Sequence, residues 1–158
     1  MKNIVLTRID DRLIHGQVVT AWVKQTKGNR IAIVDDALSK DDFMQKIMRA
    51  AAPSGISVDV YSLEAAAGYL AGEAESDERF ILLVKTPQAI ESLADKGIAI
   101  PSINLGGMGA KSGRSKFYRN ISASEEEVAC MKRLIGKGCS ITMQLVPDER
   151  PVDVKGIL

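Results

Sequence analysis

Hydrophobic and polar positions along the chain follow two alternating patterns, and these patterns predict strands and helices in turn. Short apolar runs bounded by turn residues predict strands at 3–7, 30–34, 57–61, 80–84, 102–105 and 140–146, with a further short strand at 117–121. Apolar residues spaced three or four positions apart predict helices that begin at or near Gln17, Ser39, Ser62, Thr86 and Ser124. The tail from Pro147 is predicted to pack on the surface.

Strands that alternate with helices of this length are typical of βαβ units. The predicted fold is therefore α/β, with an open, mostly parallel sheet of about six or seven strands and helices on both faces. The run 80–84 is apolar throughout, which favours a strand buried on both faces. No internal repeat or low-complexity tract interrupts the chain, and we expect a single domain over residues 1–158.

Capping residues mark several of the predicted helix starts. Ser62 is a suitable N-cap, and Thr86 stands before Pro87 at the first helical position. Ser124 and Glu127 have the spacing of a capping box. These local signals predict helices that start directly after the capping residues.

The second predicted helix carries two adjacent apolar stripes. Ser39, with Asp42 in the manner of a capping box, predicts its start. Its buried face is predicted to consist of Phe43, Ile47 and Ala50, with Met44 and Met48 beside them.

The segment from Arg8 to Gln17 (RIDDRLIHGQ) holds the richest chemistry in the chain, including His15, the only histidine. It lies between the first predicted strand and the first predicted helix, and a helix start offers free N–H groups and a partial positive charge to an anion. Arg12 adds a planar donor suited to phosphate oxygens. An imidazole here can bind phosphate or accept a phosphoryl group as nucleophile, and Asp10 can orient either the ring or Arg12. A structural or plain surface histidine is the alternative that these residues leave open.

Residues 8–18, with Trp22 four positions further on, resemble the active-site signature of a known family. This family comprises the IIB components of the mannose/fructose/sorbose class of the bacterial phosphoenolpyruvate-dependent sugar phosphotransferase system (PTS). Further segments that stand in the order and spacing of that family are 31–36, 51–53, 85–87, 103–108 and 146–147.

The resemblance implies an enzyme, a protein-phosphohistidine–sugar phosphotransferase, and two transfer steps. The histidine that matches His15 receives a phosphoryl group from a phosphohistidine on the IIA component. It then passes the group to a sugar bound to the membrane components IIC and IID. In the family the phosphoryl group is carried on Nδ1 of this histidine, whereas the IIA donor carries it on Nε2 of its own histidine.

We expect a catalytic trio in this segment, with His15 as nucleophile, Arg12 neutralising the phosphoryl oxygens and Asp10 orienting one of the two. Further residues predicted to bind substrate or phosphate are Arg8, Gly16, Gln17, Lys85 and Thr86. No cluster in the sequence calls for a metal, and no cofactor is predicted.

Three other predicted loops follow the carboxyl ends of strands, where open α/β sheets bind ligands. They begin at Asp35–Asp36, Lys85–Thr86 and Gly106–Gly107, and we expect at least one to converge with the His15 loop. Each of these loops also has a purely structural explanation. The acidic pair can simply end a strand, and Lys85 and Thr86 can be a solvated strand end and a helix cap. The glycines can form a mobile surface loop. The glycine segment lacks both the P-loop and the dinucleotide fingerprint.

A basic cluster follows the glycines and comprises Lys111, Arg114, Lys116 and Arg119. Such a cluster is either a solvated face or a docking surface for an acidic partner, which it would attract through its charge.

Composition excludes several classes of function. The formal net charge is only +1, which argues against nucleic-acid binding. No apolar run approaches the ~20 residues that span a bilayer, so we expect a cytoplasmic protein that reaches the membrane only through partners. Cys130 and Cys139 have neither metal-ligand nor redox-motif spacing, as expected for thiols in a reducing compartment.

Two alternative functions come from other classes of protein. A receiver-like signalling domain would use Asp35–Asp36 and Lys85–Thr86, but the acidic pair follows the second predicted strand rather than the first. A receiver's acceptor aspartate would also be needed after the third strand, where Asp59 lies mid-strand instead. A non-catalytic nucleotide- or sugar-binding module would use the glycine segment, which lacks a recognisable fingerprint.

Overall fold

The computed structural model describes residues 1–158 and contains nine strands and five α-helices. The strands, in chain order, are β1 (Ile4–Asp10), β2 (Arg30–Val34), β3 (Ser57–Tyr61), β4 (Phe80–Val84), β5 (Ser102–Gly107), β6 (Ser115–Tyr118), β7 (Ile121–Ala123), β8 (Ser140–Met143) and β9 (Val152–Asp153). The helices are α1 (Gly16–Thr26), α2 (Asp42–Ala51), α3 (Leu63–Leu70), α4 (Pro87–Asp95) and α5 (Glu125–Gly136). Short 3₁₀ turns form at Leu38–Lys40 and Val154–Ile157.

Seven strands form one sheet in the order β3-β2-β4-β1-β5-β8-β9. Every pair in it is parallel except the last, where β9 runs antiparallel to β8. Strands β6 and β7 make a separate antiparallel hairpin. The predicted α/β fold with a mostly parallel sheet is confirmed. None of the helices combines the length and apolar character needed to span a bilayer.

The core lies in two layers, one on each face of the sheet. Along β4, Ile81 and Leu83 join the cluster covered by α1 and α2. Phe80, Leu82 and Val84 join the larger cluster covered by α3, α4 and α5. Because both faces are covered, every side chain of β4 is buried, and each contributes on the order of 1.5–3 kcal/mol by leaving water.

The predicted start of α2 is wrong, and Phe43, Ile47 and Ala50 are exposed, whereas Met44 and Met48 pack against the core as predicted. Asp41, not Ser39, is the N-cap, and its carboxylate accepts from the Met44 N–H at 3.0 Å. Phe43 is 71% exposed and Ile47 42% exposed. The face towards the sheet is set by residues one position later in each turn, and its members are Met44, Gln45, Met48 and Arg49.

Hydrogen bonds explain this rotation of α2. The Gln45 side chain donates to the Leu38 carbonyl at 2.8 Å, and Arg49 donates to the Val58 carbonyl at 3.3 Å. These bonds hold one side of the helix against the 3₁₀ turn and β3. Periodicity alone does not show which of two similar apolar stripes is buried. In α2 the hydrogen bonds of Gln45 and Arg49 determine which side of the helix faces the sheet.

The C-terminal region is more ordered than predicted. The segment 117–121 is not one strand but comprises the end of β6, a turn at residues 119–120 and the first residue of β7, with Arg119 in the left-handed region at φ 51°. Strand β8 ends at Met143 rather than at residue 146, because the Gln144 amide donates to the carbonyls of Pro147 and Glu149 and so turns the chain. The tail then returns as β9 and buries Val154 completely, instead of lying on the surface.

Strand β1 continues three residues beyond the predicted end at Thr7 and includes Arg8, Ile9 and Asp10. It pairs with β4 on one side and β5 on the other, so it is central in the sheet. Arg8 and Asp10 lie two positions apart and share a face, where they pair with each other at 3.1 Å. Their mutual neutralisation lets two charged residues occupy a buried strand.

Candidate functional site

The loop that carries His15 is held tightly to the carboxyl ends of β1 and β5. The Asp11 N–H donates to the Gly107 carbonyl at 3.0 Å, and the Leu13 N–H donates to the Asp10 carbonyl at 2.9 Å. Leu13 adopts a left-handed conformation at φ 57°, and its side chain is buried. This sharp turn brings the chain back, so that His15 becomes the N-cap of α1 beside the end of β1.

The carboxylate of Asp10 is the centre of the site. It is fully buried and accepts from His15 Nε2 at 2.9 Å, from Arg8 at 3.1 Å, and from the backbone N–H and Nε of Arg12 at 3.0 and 3.3 Å. Burial alone would raise the pKa of Asp10. The hydrogen bonds from His15 and the Arg12 N–H, together with the Arg8 charge, outweigh burial and hold this pKa below its ordinary value.

The hydrogen bond that Nε2 donates to Asp10 distinguishes the two nitrogens of the His15 ring. A carboxylate only accepts hydrogen bonds, so a proton lies on Nε2, at the buried edge. In the neutral ring the lone pair is therefore on Nδ1, which makes no hydrogen bond within the protein. The ring is 21% exposed, which lets a reacting group reach it from solvent.

Hydrogen-bond donors lie next to His15 in the chain, at the start of α1 and at Arg12. The N–H groups of Gly16, Gln17 and Val18 open helix α1 and have no acceptor in the protein. The Arg12 side chain is 56% exposed and lies at the same carboxyl-end edge of the sheet. The structure thus brings the predicted residues Asp10, Arg12, His15, Gly16 and Gln17 together, in an arrangement suited to an anion.

Arg8 lies in the interior instead of on this surface. Its side chain is 1% exposed and donates to Asp10, to the Asn104 side chain and to the Gln144 carbonyl. Its guanidinium lies 5.6 Å from the centre of the Trp22 ring. Burial lowers the pKa of Arg8, and the charge of Asp10 opposes that effect. Arg8 therefore touches the carboxylate behind His15 rather than the open face where a phosphate would be bound.

Gly106 and Gly107 close the space around these buried charges. A Cβ on Gly106 would lie 2.0 Å from Arg8 Cζ, and one on Gly107 would lie 2.8 Å from Asp10 Oδ1. Both glycines are the last residues of β5 and do not belong to a mobile loop. The paired glycines after an apolar run were the sequence signal for this close approach, whereas nothing local marked Asn104 or Gln144 as partners of Arg8.

A buried arginine anchors the loop that follows β5. Arg114 is 1% exposed, donates to Asp11 at 2.9 Å and forms two hydrogen bonds, of 2.8 and 2.7 Å, with Glu127. The hydrogen bonds to Glu127 and Asp11 raise the pKa of Arg114. Arg114 is therefore a structural clamp and not part of an exposed basic cluster. The Gly109 N–H also donates to Asp11 at 2.7 Å, so the loop after β5 converges with the His15 loop as expected.

Lys85 and Thr86 lie apart from His15. They line a separate cavity at the ends of β2 and β4, together with Asp35 and Asp36, and His15 does not line it. Lys85 Nζ is 3.8 Å from Asp35 Oδ2, and Thr86 caps α4 without a hydrogen bond from its hydroxyl. No group of three or more histidine, cysteine or carboxylate side chains is gathered in a way that could hold a metal ion.

Comparisons with known proteins agree on one family. Residues 4–158 match the family described as "PTS system sorbose subfamily IIB component". The fructose-specific EIIB component of the PTS in Bacillus subtilis (strain 168) is 31% identical over 158 residues, which is 100% of this chain and 97% of the relative. The mannose-specific EIIAB component of Escherichia coli (strain K12) is 33% identical over 143 residues, 90% of this chain and 44% of the relative.

A solved structure supports the same grouping. The IIBSor domain of the sorbose permease from Klebsiella pneumoniae superposes with a TM-score of 0.91 at 32% sequence identity. The match covers 96% of this chain and 93% of that one.

Proposed function

Because the chain belongs to the sorbose subfamily of PTS IIB components, a family of sugar uptake, we propose that it carries a phosphoryl group on His15 between a IIA donor and a sugar. One observation carries the proposal most directly. Asp10 binds Nε2 of His15 and leaves Nδ1 unbonded on a part-exposed ring. The nitrogen that remains free is the one on which the family resemblance implies the phosphoryl group is carried.

The first step is attack of the Nδ1 lone pair on the phosphorus of the donor's phosphohistidine. The new bond joins phosphorus to Nδ1, and the electron pair of the old P–N bond returns to the donor's ring. The His15 ring becomes more positive as this bond forms, and the Asp10 carboxylate against Nε2–H stabilises that charge. In the second step a sugar hydroxyl attacks the phosphorus and releases its proton to water, and the electron pair of the P–Nδ1 bond returns to His15.

Arg12 and the start of α1 bind the transferred group in this proposal. The exposed guanidinium of Arg12 binds phosphoryl oxygens, and the free N–H groups of Gly16 and Gln17 supply further donors. The transfer needs positioning and charge neutralisation more than proton chemistry, so these donors account for most of the catalysis.

Arg8 acts through Asp10 rather than on the phosphate. Its two-sided contact, with Asp10 and with Asn104, fixes the carboxylate in the position that the His15 ring needs. We therefore assign Arg8 as a positioning residue, in place of the direct phosphate contact expected from the sequence.

The proposed partners are a IIA donor protein and the IIC/IID membrane components with bound sugar. The relative named EIIAB supports a IIA donor, since its name combines IIA with IIB and this chain covers only 44% of that relative's length. Residues 1–158 act in this proposal as one phosphotransferase domain. Lys111, Lys116 and Arg119 are exposed and stay a predicted docking surface for an acidic partner face.

A phosphorylation assay tests the proposal. The protein is incubated with the general PTS proteins, a cognate IIA and labelled phosphoenolpyruvate, and the label is located by mass spectrometry. We expect an acid-labile phosphate on His15 that is absent from His15→Ala, while Asp35→Asn labels as the wild type does. An acyl phosphate on Asp35 or Asp36 would indicate a receiver instead, and no label on a folded protein would indicate a binding module.

A nitrogen-resolved measurement makes the test sharper. Protein labelled with ¹⁵N in its single histidine is phosphorylated and followed by ¹⁵N and ³¹P NMR. We expect phosphorus coupling to Nδ1. Coupling to Nε2 would contradict the assignment of Asp10 as the group that holds Nε2.

A further inference from the structure

A second cavity opens at the same edge of the sheet as His15 but is not part of that site. Its volume is about 490 Å³, within the range of about 300–1,000 Å³ that is common for small-molecule sites. It lies at the carboxyl ends of β2 and β4, where Asp35 and Asp36 follow β2 and Lys85 and Thr86 follow β4. Asp11, from the His15 loop, also lines it, whereas His15 does not.

The sheet topology accounts for this cavity. After β2 the chain passes through α2 to β3, and after β4 it passes through α4 to β5, so the two connections leave in opposite directions and on opposite faces. Adjacent strands with this relationship open a crevice, and open α/β sheets bind ligands in such crevices. Strands β1 and β5 have the same relationship and hold the His15 site. The fold therefore has two switch-point crevices, of which only one is used by the proposed transfer.

One end of this second crevice is suited to a phosphate. Helix α4 begins here, and the N–H groups of Gln88 and Ala89 have no acceptor in the protein. The Thr86 hydroxyl makes no hydrogen bond, and the ammonium groups of Lys85 and Lys111 line the cavity. Free N–H groups, a hydroxyl and two cations together can satisfy a doubly charged phosphate.

The other end is suited to hydroxyl groups on a carbon ring. Asp36 accepts the Leu63 N–H with one carboxylate oxygen and can accept from a ligand with the other. Asp35 accepts the Leu38 N–H, and its second oxygen lies 3.8 Å from Lys85 Nζ, so a ligand hydroxyl would share it with that cation. Val34 and Leu63 provide an apolar floor for the C–H face of a sugar.

We propose that this second crevice binds a phosphorylated monosaccharide. Inorganic phosphate would place an anion, instead of sugar hydroxyl groups, against the carboxylates of Asp35 and Asp36, and a neutral sugar would leave the N–H groups of Gln88 and Ala89 without an anion. A sugar phosphate satisfies both ends at once. The inference stands on this cavity and goes beyond the proposed phosphoryl transfer, because none of these groups touches His15.

The test is a titration of the ¹⁵N-labelled full chain, followed by amide NMR, with glucose 6-phosphate, fructose 1-phosphate, glucose and inorganic phosphate as probes. We expect saturable shifts of the Leu63, Gln88 and Ala89 amides with at least one phosphorylated sugar. Its affinity should exceed that of glucose and of inorganic phosphate by about tenfold or more, since each lacks one half of the contacts. The same shifts in His15→Ala would separate this site from phosphoryl transfer.

Matched variants assign the binding residues. Lys85→Met and Thr86→Val should each lower the affinity for the phosphorylated sugar by about tenfold. Lys132→Met should leave this affinity unchanged, because Lys132 is an exposed residue of α5 outside this cavity. Absence of saturable shifts with both phosphorylated sugars would overturn the proposal. Equal affinity for inorganic phosphate, or shifts centred on Gly16 and Gln17 instead, would overturn it too.

Discussion

The 2.9 Å hydrogen bond between His15 Nε2 and Asp10 Oδ2 joins a helix cap to the last residue of a central strand. It makes the two ring nitrogens different, since one is bound to a buried carboxylate and the other is free. The strand holds Asp10 by its sheet pairing and by Arg8, so the ring takes its orientation from a central strand of the sheet. A mobile loop could not fix the direction of Nδ1 in this way.

Asp10→Asn tests this relationship. An asparagine can turn its amide N–H towards Nε2, which would move the ring proton to Nδ1 and block the nucleophile. We expect the rate of phosphoryl transfer to fall by about three to four orders of magnitude, as when a carboxylate that orients a catalytic histidine is replaced by an amide. Rapid-quench transfer from phospho-IIA measures the rate, and ¹⁵N NMR of the ring measures the tautomer.

The same variant leaves Arg8 without its buried counter-charge, so the free energy of unfolding should also fall, by about 3–5 kcal/mol. Asp35→Asn is the control, because Asp35 lies outside the His15 site. A wild-type tautomer together with a wild-type rate in folded Asp10→Asn would remove Asp10 from the mechanism.

Gly106→Ala tests the close approach behind the site. The added Cβ would lie 2.0 Å from Arg8 Cζ, and the guanidinium is packed against Trp22 and bonded to Asn104, so it has no free path away. We expect overpacking to lower the free energy of unfolding by about 1–3 kcal/mol or more, measured by urea denaturation.

Gly68→Ala is the matched control for that substitution. Gly68 lies within α3, and a Cβ there would have no neighbour within 4 Å. Alanine is the better helix former, so this variant should be unchanged or more stable by up to about 1 kcal/mol. Equal stability of the two alanine variants would show that Arg8 yields easily, contrary to the packing described above.

Arg12→Ala separates transfer from folding. The side chain is 56% exposed and its pair with Asp10 is partly in solvent, so the free energy of unfolding should change by no more than about 1 kcal/mol. Loss of the donor to the phosphoryl oxygens should slow transfer by about 10²–10³-fold. Arg12→Lys keeps the charge but not the two-pronged donor, and an intermediate rate is expected. A wild-type rate in Arg12→Ala would contradict the proposed role.

Features that depend on local chemistry could be predicted from the sequence. The caps at Ser62 and Ser124 lie where expected, because a hydroxyl followed three residues later by a free N–H needs no distant partner. The His15 site could likewise be predicted, because its hydrogen-bond donors and its carboxylate all lie within ten consecutive residues.

Features that depend on distant partners could not be predicted. Arg8 was predicted to bind phosphate because the sequence does not show its contacts with Asn104 and the Gln144 carbonyl, which lie 96 and 136 residues further along the chain. Arg114 looked solvated for the same reason, since Asp11 and Glu127 meet it only in the fold. In α2, periodicity predicted a buried stripe one residue out of step because the polar anchors of Gln45 and Arg49 are also tertiary.

The Arg114–Glu127 clamp gives the protein a defined dependence on acid. Burial would raise the pKa of Glu127, but the hydrogen bonds from Arg114 and from the Ser124 N–H outweigh burial and keep this pKa below its ordinary value of 4.5. As pH falls through 4.5, the unfolded chain takes up this proton before the folded chain does. The stabilising contribution is therefore complete above that pH and is lost as pH falls towards the lower pKa of the folded state.

Glu127→Gln removes this titration and keeps the capping box, because glutamine can still accept the Ser124 N–H. At pH 7 the variant should be less stable by about 1–3 kcal/mol, since Arg114 loses a charged partner. From pH 5 to pH 3 its free energy of unfolding should fall less steeply than that of the wild type, so the two curves converge. Urea denaturation across this pH range measures both effects. Glu125→Gln, an exposed change in the same helical turn, should follow the wild-type curve, and parallel curves for Glu127→Gln and the wild type would show that Glu127 does not contribute to the acid response.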